Sequence, residues 1–403
     1  MWAYQERVSC NFYININYIN VNFVSFVKKR MEAPFQFGTL ATGDNFIDRV
    51  QERADLKQML SSGINVALIS PRRWGKSSLV KMAMDELVSE REDFRVCYLD
   101  AFSVNSEEEF YETFAAKVIA CASGKVEKAL KDAQRYLSGL IPGITLSDGV
   151  NDVLSVNLRY KPREMDKLEI LNLPEKIAIE KGLRIIVCID EFQQLVHLPE
   201  YDGLEGKMRS VWQLQKHVSY CFYGSKKHMM MDIFGNSQKP FYRFANVVMM
   251  PKIRKEDWIP FIVSAFNNTG KDISEAFAGR VCDITQCHSW YLQQFCYFLW
   301  NDTVHSVDER TFTNCLTRLI DTNKPMFMSD VEKLTPSQRE MLRAIRDGET
   351  RFTSESVRSR YHLGNPNTIT RNKSVLQEKS FVEEENGVLV LSDPVFLLWF
   401  RLK

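Results

Sequence analysis

The stretch that decides the fold is Ile64-Asn-Val-Ala-Leu-Ile-Ser-Pro-Arg-Arg-Trp-Gly-Lys-Ser77. Its first part, Ile64 to Ile69, reads as an apolar strand. A loop ending Gly75-Lys76-Ser77 follows, and a helix pattern starts at once in Ser78-Leu79-Val80-Lys81-Met82-Ala83-Met84. Strand, loop and helix in that order make a phosphate-binding P-loop. Backbone N–H groups wrap the β- and γ-phosphates, and the helix N-terminus adds roughly half a positive charge. Lys76 supplies a point charge, and the Ser77 hydroxyl is a ligand for Mg²⁺. The first glycine of the G-x-x-x-x-G-K-S/T pattern is replaced by Ser70. Pro71 biases Ser70 toward extended geometry, which suits a residue leaving a strand. Gly75, where the backbone approaches phosphate most closely, is intact.

A second motif completes the first. Ile185-Ile-Val-Cys-Ile closes on Asp190-Glu191, an apolar strand with two carboxylates at its tip, the Walker B arrangement. Asp190 would hold the Mg²⁺ shell, and Glu191 would orient or deprotonate the attacking water. A further strand ends Cys221-Phe-Tyr-Gly224-Ser225. In a parallel sheet of such strands it would lie between the first and third, so that Ser225 could reach the γ-phosphate or the lytic water; the alternative is a solvent-exposed turn serine.

From Glu32 onward strands and helices alternate, the mark of a parallel sheet covered on both faces. Strands are expected at Ile64–Ile69, Arg95–Ala101, Ile185–Asp190, Val218–Gly224 and Asn246–Met250, with helices at Ser106–Ala122 and Glu164–Lys181. A hairpin is expected in the insertion around Gly143–Gly149 and Leu154–Leu158. Lys252 to about Asp330 reads as helical only, ending near Pro325. The last unit begins at Leu334-Thr-Pro-Ser, with helices at Ser337–Arg346, Ser354–His362 and Asn367–Lys379. Two short strands around Asn386-Gly387 follow, a strong hairpin signal. Three helices and a hairpin make a winged helix. Arg351, Arg358, Arg360, Arg371 and Lys373 give it a basic character. The expected domains are therefore a P-loop ATPase core at 31–251, a helical lid at 252–330 and a winged helix at 331–403.

Composition narrows the class. Lysine and arginine (52) nearly cancel aspartate and glutamate (51) over 403 residues, so nucleic acid or membrane would need a local patch. The nine cysteines include no C-x-x-C pair, and Cys97, Cys188 and Cys221 sit in apolar runs. That points to a reducing, cytoplasmic setting. Cys282, Cys287 and His288 are close in sequence but lack a second ligand pair, so a buried structural role is expected. No apolar run reaches the roughly 18 residues of a membrane span. Asn11, Asn15, Asn17, Asn20 and Asn22 interrupt the apolar N-terminal stretch, and its basic residues Lys28-Lys29-Arg30 follow rather than precede it. Met31 is the expected start, with residues 1–30 an extension lacking a folded role.

Together these segments resemble the archaeal-type P-loop ATPases, which occur widely in anaerobic bacteria and are allied to the AAA+ and STAND groups. The resemblance rests on Asn45-Phe-Ile-Asp48-Arg49, Ser70-Pro-Arg-Arg-Trp-Gly-Lys-Ser-Ser78, Ile189-Asp-Glu-Phe-Gln193, Pro240-Phe-Tyr-Arg243 and Ser392-Asp-Pro-Val-Phe-Leu-Leu-Trp-Phe-Arg401. It implies a P-loop core, a helical lid and a winged helix, with ATP and Mg²⁺ as ligands. It places Phe46 and Arg49 near adenine and ribose, and Ser70, Pro71, Arg72, Arg73, Trp74, Gly75, Lys76, Ser77 and Ser78 around the phosphates. Arg72 and Arg73 either touch phosphate or brace the lid. Arg243 is a candidate γ-phosphate sensor or a surface ion-pair partner. In related lids a Gly-His-Pro-Tyr-type turn meets the nucleotide; here Cys287-His-Ser-Trp-Tyr291 lacks Gly and Pro, so His288 is expected as a packed core histidine.

Three functions fit. The first is an ATPase whose nucleotide state moves lid and winged helix, with an unidentified protein as a further partner. The second is a DNA-binding regulator for which ATP is only a ligand. The third holds ATP with slow or no turnover.

Overall fold

The computed structural model of the chain describes residues 33–38, 49–123, 126–137, 144–149, 153–158 and 164–402. The expected N-terminal extension and Phe46 lie outside them. Helix α1 (Val50–Ser61) leads into β1 (Val66–Ile69), the P-loop and α2 (Lys76–Glu90). Next come β2 (Phe94–Asp100), α3 (Glu107–Ser123), α4 (Val126–Leu137), the antiparallel hairpin β3 (Ile144–Gly149) and β4 (Val153–Leu158), and α5 (Glu164–Lys181). The sheet domain closes with β5 (Arg184–Asp190), α6 (Tyr201–Trp212), β6 (Val218–Gly224), α7 (Lys227–Gly235) and β7 (Asn246–Met249).

Five strands form one parallel sheet in the order β2-β5-β6-β1-β7. The fourth sheet strand in the chain, β6, thus lies between the first and third, as expected. Side chains alternate across each strand. Ala67 and Ile69 meet a core with Phe110, Ile170, Leu204 and Phe234 from α3, α5, α6 and α7. Val66 and Leu68 meet Leu56, Leu60, Leu79 and Ala83 from α1 and α2. Burial on both faces explains why the strands read as near-continuous apolar runs. The register sets Ile69 beside Gly224, and Tyr223 beside Asp190. Ser70, Glu191 and Ser225 therefore leave the same carboxyl edge, where open α/β sheets bind ligands.

The lid comprises α8 (Lys255–Asn267), α9 (Glu275–Thr285), α10 (Ser289–Asp302) and α11 (Glu309–Glu332). The winged helix has α12 (Pro336–Arg346), α13 (Glu355–Arg360), α14 (Pro366–Glu378), β8 (Val382–Glu385), β9 (Val388–Leu391) and α15 (Pro394–Arg401). Thr335, Asn365 and Asp393 cap α12, α14 and α15, each just before a proline. Such a cap accepts from orphan N–H groups, and proline fits the first turn because its missing N–H has no helical partner.

One expectation needs correction. The helix expected to end near Pro325 continues to Glu332. Phe327, past the proline, packs on Phe396 and Trp399 of α15, and that burial offsets the missing hydrogen bond. As a result the lid and winged helix share one apolar core.

Candidate functional site

Gly75 ends the P-loop with φ 86° and with no atom near the place a Cβ would take. Glycine is required there by backbone conformation rather than by space. Lys76 opens α2 and is buried, its ammonium 3.3 Å from Glu191 Oε1. The Ser77 hydroxyl donates to Asp190 Oδ2 at 2.8 Å, and the Ser225 hydroxyl to Glu191 Oε2 at 2.7 Å. P-loop, Walker B tip and β6 end therefore converge on one point.

Electrostatics separate the two acids. Burial raises the Asp190 carboxyl above its ordinary value, and Lys76 and Ser77 only partly oppose it. Burial pushes on Glu191 too, but the Lys76 charge and hydrogen bonds from Ser225 and Gln193 outweigh it. Glu191 therefore titrates below the usual glutamate and is ionised at neutral pH. The oxygen-only pair of Ser77 and Asp190 is the hard donor set that Mg²⁺ takes. Those two residues would hold the cation.

Around this centre the loop is braced. Ser70 is buried, and its N–H donates to the Gly224 carbonyl. Pro71 is half-buried, Arg72 exposed, and Ser78 buried on α2. Arg49 is buried, with its guanidinium on the carbonyls of Trp74 and Pro251, so it ties the entry of α1 to the P-loop and to the exit of β7. Lys252 lies 5.3 Å from the Trp74 ring centre.

Arg73 reaches away from the sheet. Its guanidinium lies 4.7 Å from the Trp290 ring centre on α10. Its charge also acts on the Tyr291 hydroxyl and on the Asp393 carboxylate that caps α15. Tyr291 donates to Asp393. His288, at the start of α10, is buried against Tyr291; burial, with the charges of Lys252 and Arg73, pushes its pKa down to about 3.

The structure does not bring Arg243 to this place. It is exposed, lies against the Tyr242 ring, and its N–H donates to Phe234 near the end of α7. The strand that follows starts beside Val66, at the amino edge of the sheet, opposite the P-loop. A cationic sensor within the same chain is not what this position offers.

Sequence reading gave no role to Gln193, Gly224, Tyr291 or Asp393. Asp393 had a signal, since Asp before Pro marks a helix start. The others are set by contacts between distant segments.

The family described as an ATPase domain predominantly from Archaea matches residues 46–274, more than half of the chain. The chain belongs to that family. A probable winged helix domain matches residues 325–402. No curated protein matches the sequence. Among solved structures, a Walker-type ATPase of Pyrococcus abyssi is similar, with TM-score 0.67 and 19% identity over 91% of this chain and 99% of that one. The ORC2 protein of Aeropyrum pernix, solved as ADPNP–ADP complexes, has TM-score 0.55 and 12% identity over 92% and 100%. At these identities the likeness speaks for the fold: a parallel-sheet P-loop core followed by a lid and a winged helix.

Proposed function

We propose that this protein binds ATP with Mg²⁺ at the P-loop, hydrolyses it, and uses the nucleotide state to shift lid and winged helix against the sheet. Glu191, ionised and aimed by three donors, takes a proton from the attacking water or holds that water in line. Lys76 and the N–H groups of the P-loop stabilise charge on the transferred phosphoryl group. Mg²⁺, when bound, draws charge from the phosphate oxygens and orients them.

The observation that carries the switch is the path from Arg73 through Trp290 and Tyr291 to Asp393. A P-loop residue, two lid residues and the cap of the final helix touch in series. Any change of P-loop geometry at Arg73 is felt at the start of α15.

DNA binding is the weaker reading. The wing carries Glu383-Glu384-Glu385, and Lys373 pairs with Glu384 at 3.1 Å. Arg360 pairs with Glu349, and Arg358 donates to the Gly364 carbonyl. Burial raises the Glu383 carboxyl, and the charges of Lys252 and Lys227 act on it in opposition. Of the basic residues on the winged helix, Lys373 and Arg360 are thus already paired with acids of the same domain, which leaves fewer free cations for a duplex.

The test is ATP turnover by the purified chain with Mg²⁺, alone and with duplex DNA, alongside tryptophan fluorescence. We expect hydrolysis without DNA and an ATP-dependent fluorescence change that disappears in Trp290→Phe. A change that survives in Trp290→Phe and Arg73→Ala would remove the proposed path.

A further inference from the structure

We propose that Gln193 is the positioning residue for Glu191, and that Gly224 is glycine so that Gln193 can occupy its place. The inference rests on the reading of Glu191 as the group that acts on the lytic water. It concerns how that carboxylate is aimed.

Gln193 follows Glu191 by two residues in a 3-10 turn and is completely buried. Its Nε2 donates to Glu191 Oε2, the same oxygen that accepts from Ser225. The orientation of the amide is decided by chemistry. An ionised carboxylate cannot donate, so the NH₂ end must face Glu191 and the carbonyl end must face away. That carbonyl, Oε1, has no hydrogen-bond partner although it is buried, an arrangement that costs free energy and needs an explanation.

Gly224 supplies one. A Cβ built on Gly224 would fall on Gln193 Oε1, far inside contact distance, and would lie 2.8 Å from Met230 Sδ. The carbonyl oxygen therefore sits where the side chain of residue 224 would be, against the Gly224 Cα. A Cα–H···O contact is the only polar relief this position offers it, and a weak one. The neighbours are fixed by the sheet, since Gly224 is in register with Ile69 and its carbonyl holds Ser70 N–H. The amide is thus clamped between β6 and Glu191. It cannot rotate away without leaving Glu191 Oε2 to Ser225 alone.

The consequence is a division of labour on one carboxylate. Oε2 is held by Gln193 and Ser225, while Oε1 faces Lys76. A base held to one orientation meets its water in reactive geometry, and misplacement by about 1 Å costs on the order of 100-fold. The hydrogen bond of the Gln193 amide goes to Glu191 and not to the P-loop or to Ser77 and Asp190, so its loss is expected to act on the chemical step rather than on binding.

The experiment measures kcat and KM for ATP hydrolysis for the full chain and for Gln193→Ala, Gln193→Glu, Gly224→Ala and the Gln193→Ala/Gly224→Ala double variant. In Gln193→Ala we expect kcat to fall about 10- to 100-fold, with KM for ATP within about twofold. Gln193→Glu should lose at least as much in kcat, by placing a second carboxyl on the first. Gly224→Ala should reproduce the loss. The double variant should lose less than the two single losses combined, since the added methyl group then meets no amide and only the Met230 sulfur has to give way. If Gly224→Ala does not fold, the two Gln193 variants still decide the matter. Unchanged kcat in Gln193→Ala, or a rise in KM that accounts for the whole loss, with an active parent chain, overturns the proposal alone. A parent chain without ATP hydrolysis overturns the reading beneath it.

Discussion

Glu191→Gln is the sharpest perturbation of the centre, because it removes a charge while keeping the shape. Glu191 Oε1 lies 3.3 Å from the Lys76 ammonium, with the two side chains 17% and 7% exposed. At an effective dielectric constant of about 20, that separation gives a gross attraction of ~5 kcal/mol. Desolvation of both groups consumes much of it. A triphosphate must take the same ammonium, so the carboxylate competes with it for Lys76 and repels its charge. The glutamine amide still accepts a hydrogen bond but does not compete as an anion. If about a quarter of the gross term survives, ATP affinity rises roughly tenfold, since ~1.4 kcal/mol is one decade. Hydrolysis falls on the order of 100- to 1000-fold, the usual cost of deleting such a group. Calorimetric titration with ATP and Mg²⁺ and a phosphate-release assay read the two effects separately. Wild-type turnover, or weaker ATP binding, in Glu191→Gln refutes the reasoning.

Three further outcomes follow from other parts of the molecule. Lys76→Ala should abolish measurable ATP binding, and unchanged affinity would remove the site assignment. Asp393→Ala deletes a helix cap worth ~1 kcal/mol and strands the buried Tyr291 hydroxyl at ~1–3 kcal/mol; urea melts should show a loss of about 2–4 kcal/mol, and Asp393→Asn a smaller one. His288, held down to about 3 in the fold against an ordinary value near 6.5, leaves the unfolded chain binding more protons between those limits. Stability should therefore fall as pH drops below about 6.5, by up to ~1.4 kcal/mol per pH unit, and His288→Leu should show a shallower acid slope in denaturant titrations.

Local patterns made much of this legible. The strand-loop-helix at 64–84 and the acids closing 185–191 depend on residues close in sequence, and their positions follow from backbone preferences and burial. The winged helix was readable for the same reason: its caps and its Asn386-Gly387 turn, with φ 51° and 81°, are short-range signals. The strand order that brings Ser225 to Glu191 was legible too; what escaped were particular side-chain contacts across the sheet and between domains. Gln193 closes the Ile189–Gln193 motif but has no role until Gly224 is seen against its carbonyl. Arg243 looked like a sensor because Pro-Phe-Tyr-Arg is a motif, yet a motif carries no information on which edge of the sheet it reaches. The basic count on the winged helix overlooked the three wing glutamates, which change what the arginines and lysines can meet.

The cores themselves argue for which bodies could move. The sheet has two apolar clusters, one on each face, while lid and winged helix form a single third cluster through Phe327, Phe396 and Trp399. Separating α11 from α15 would expose buried aromatic surface at roughly 25 cal/mol per Å². No such cluster spans the boundary with the sheet among the described residues. What crosses it is cationic: the Arg73 guanidinium on Trp290, and the charge of Lys227 acting on Glu383. Contacts of that kind are individually worth about 0.5–2 kcal/mol and can be exchanged for water at small net cost. A binding event at the P-loop that displaced Arg73 would therefore release lid and winged helix together, and would not unpack one from the other. Cross-linking α11 to α15 through engineered cysteines should leave ATP turnover and the Trp290 fluorescence change intact. Cross-linking the P-loop side of α2 to α10 should suppress the fluorescence change. Loss of both signals in the first variant would mean that the moving boundary lies within the shared core, against the packing.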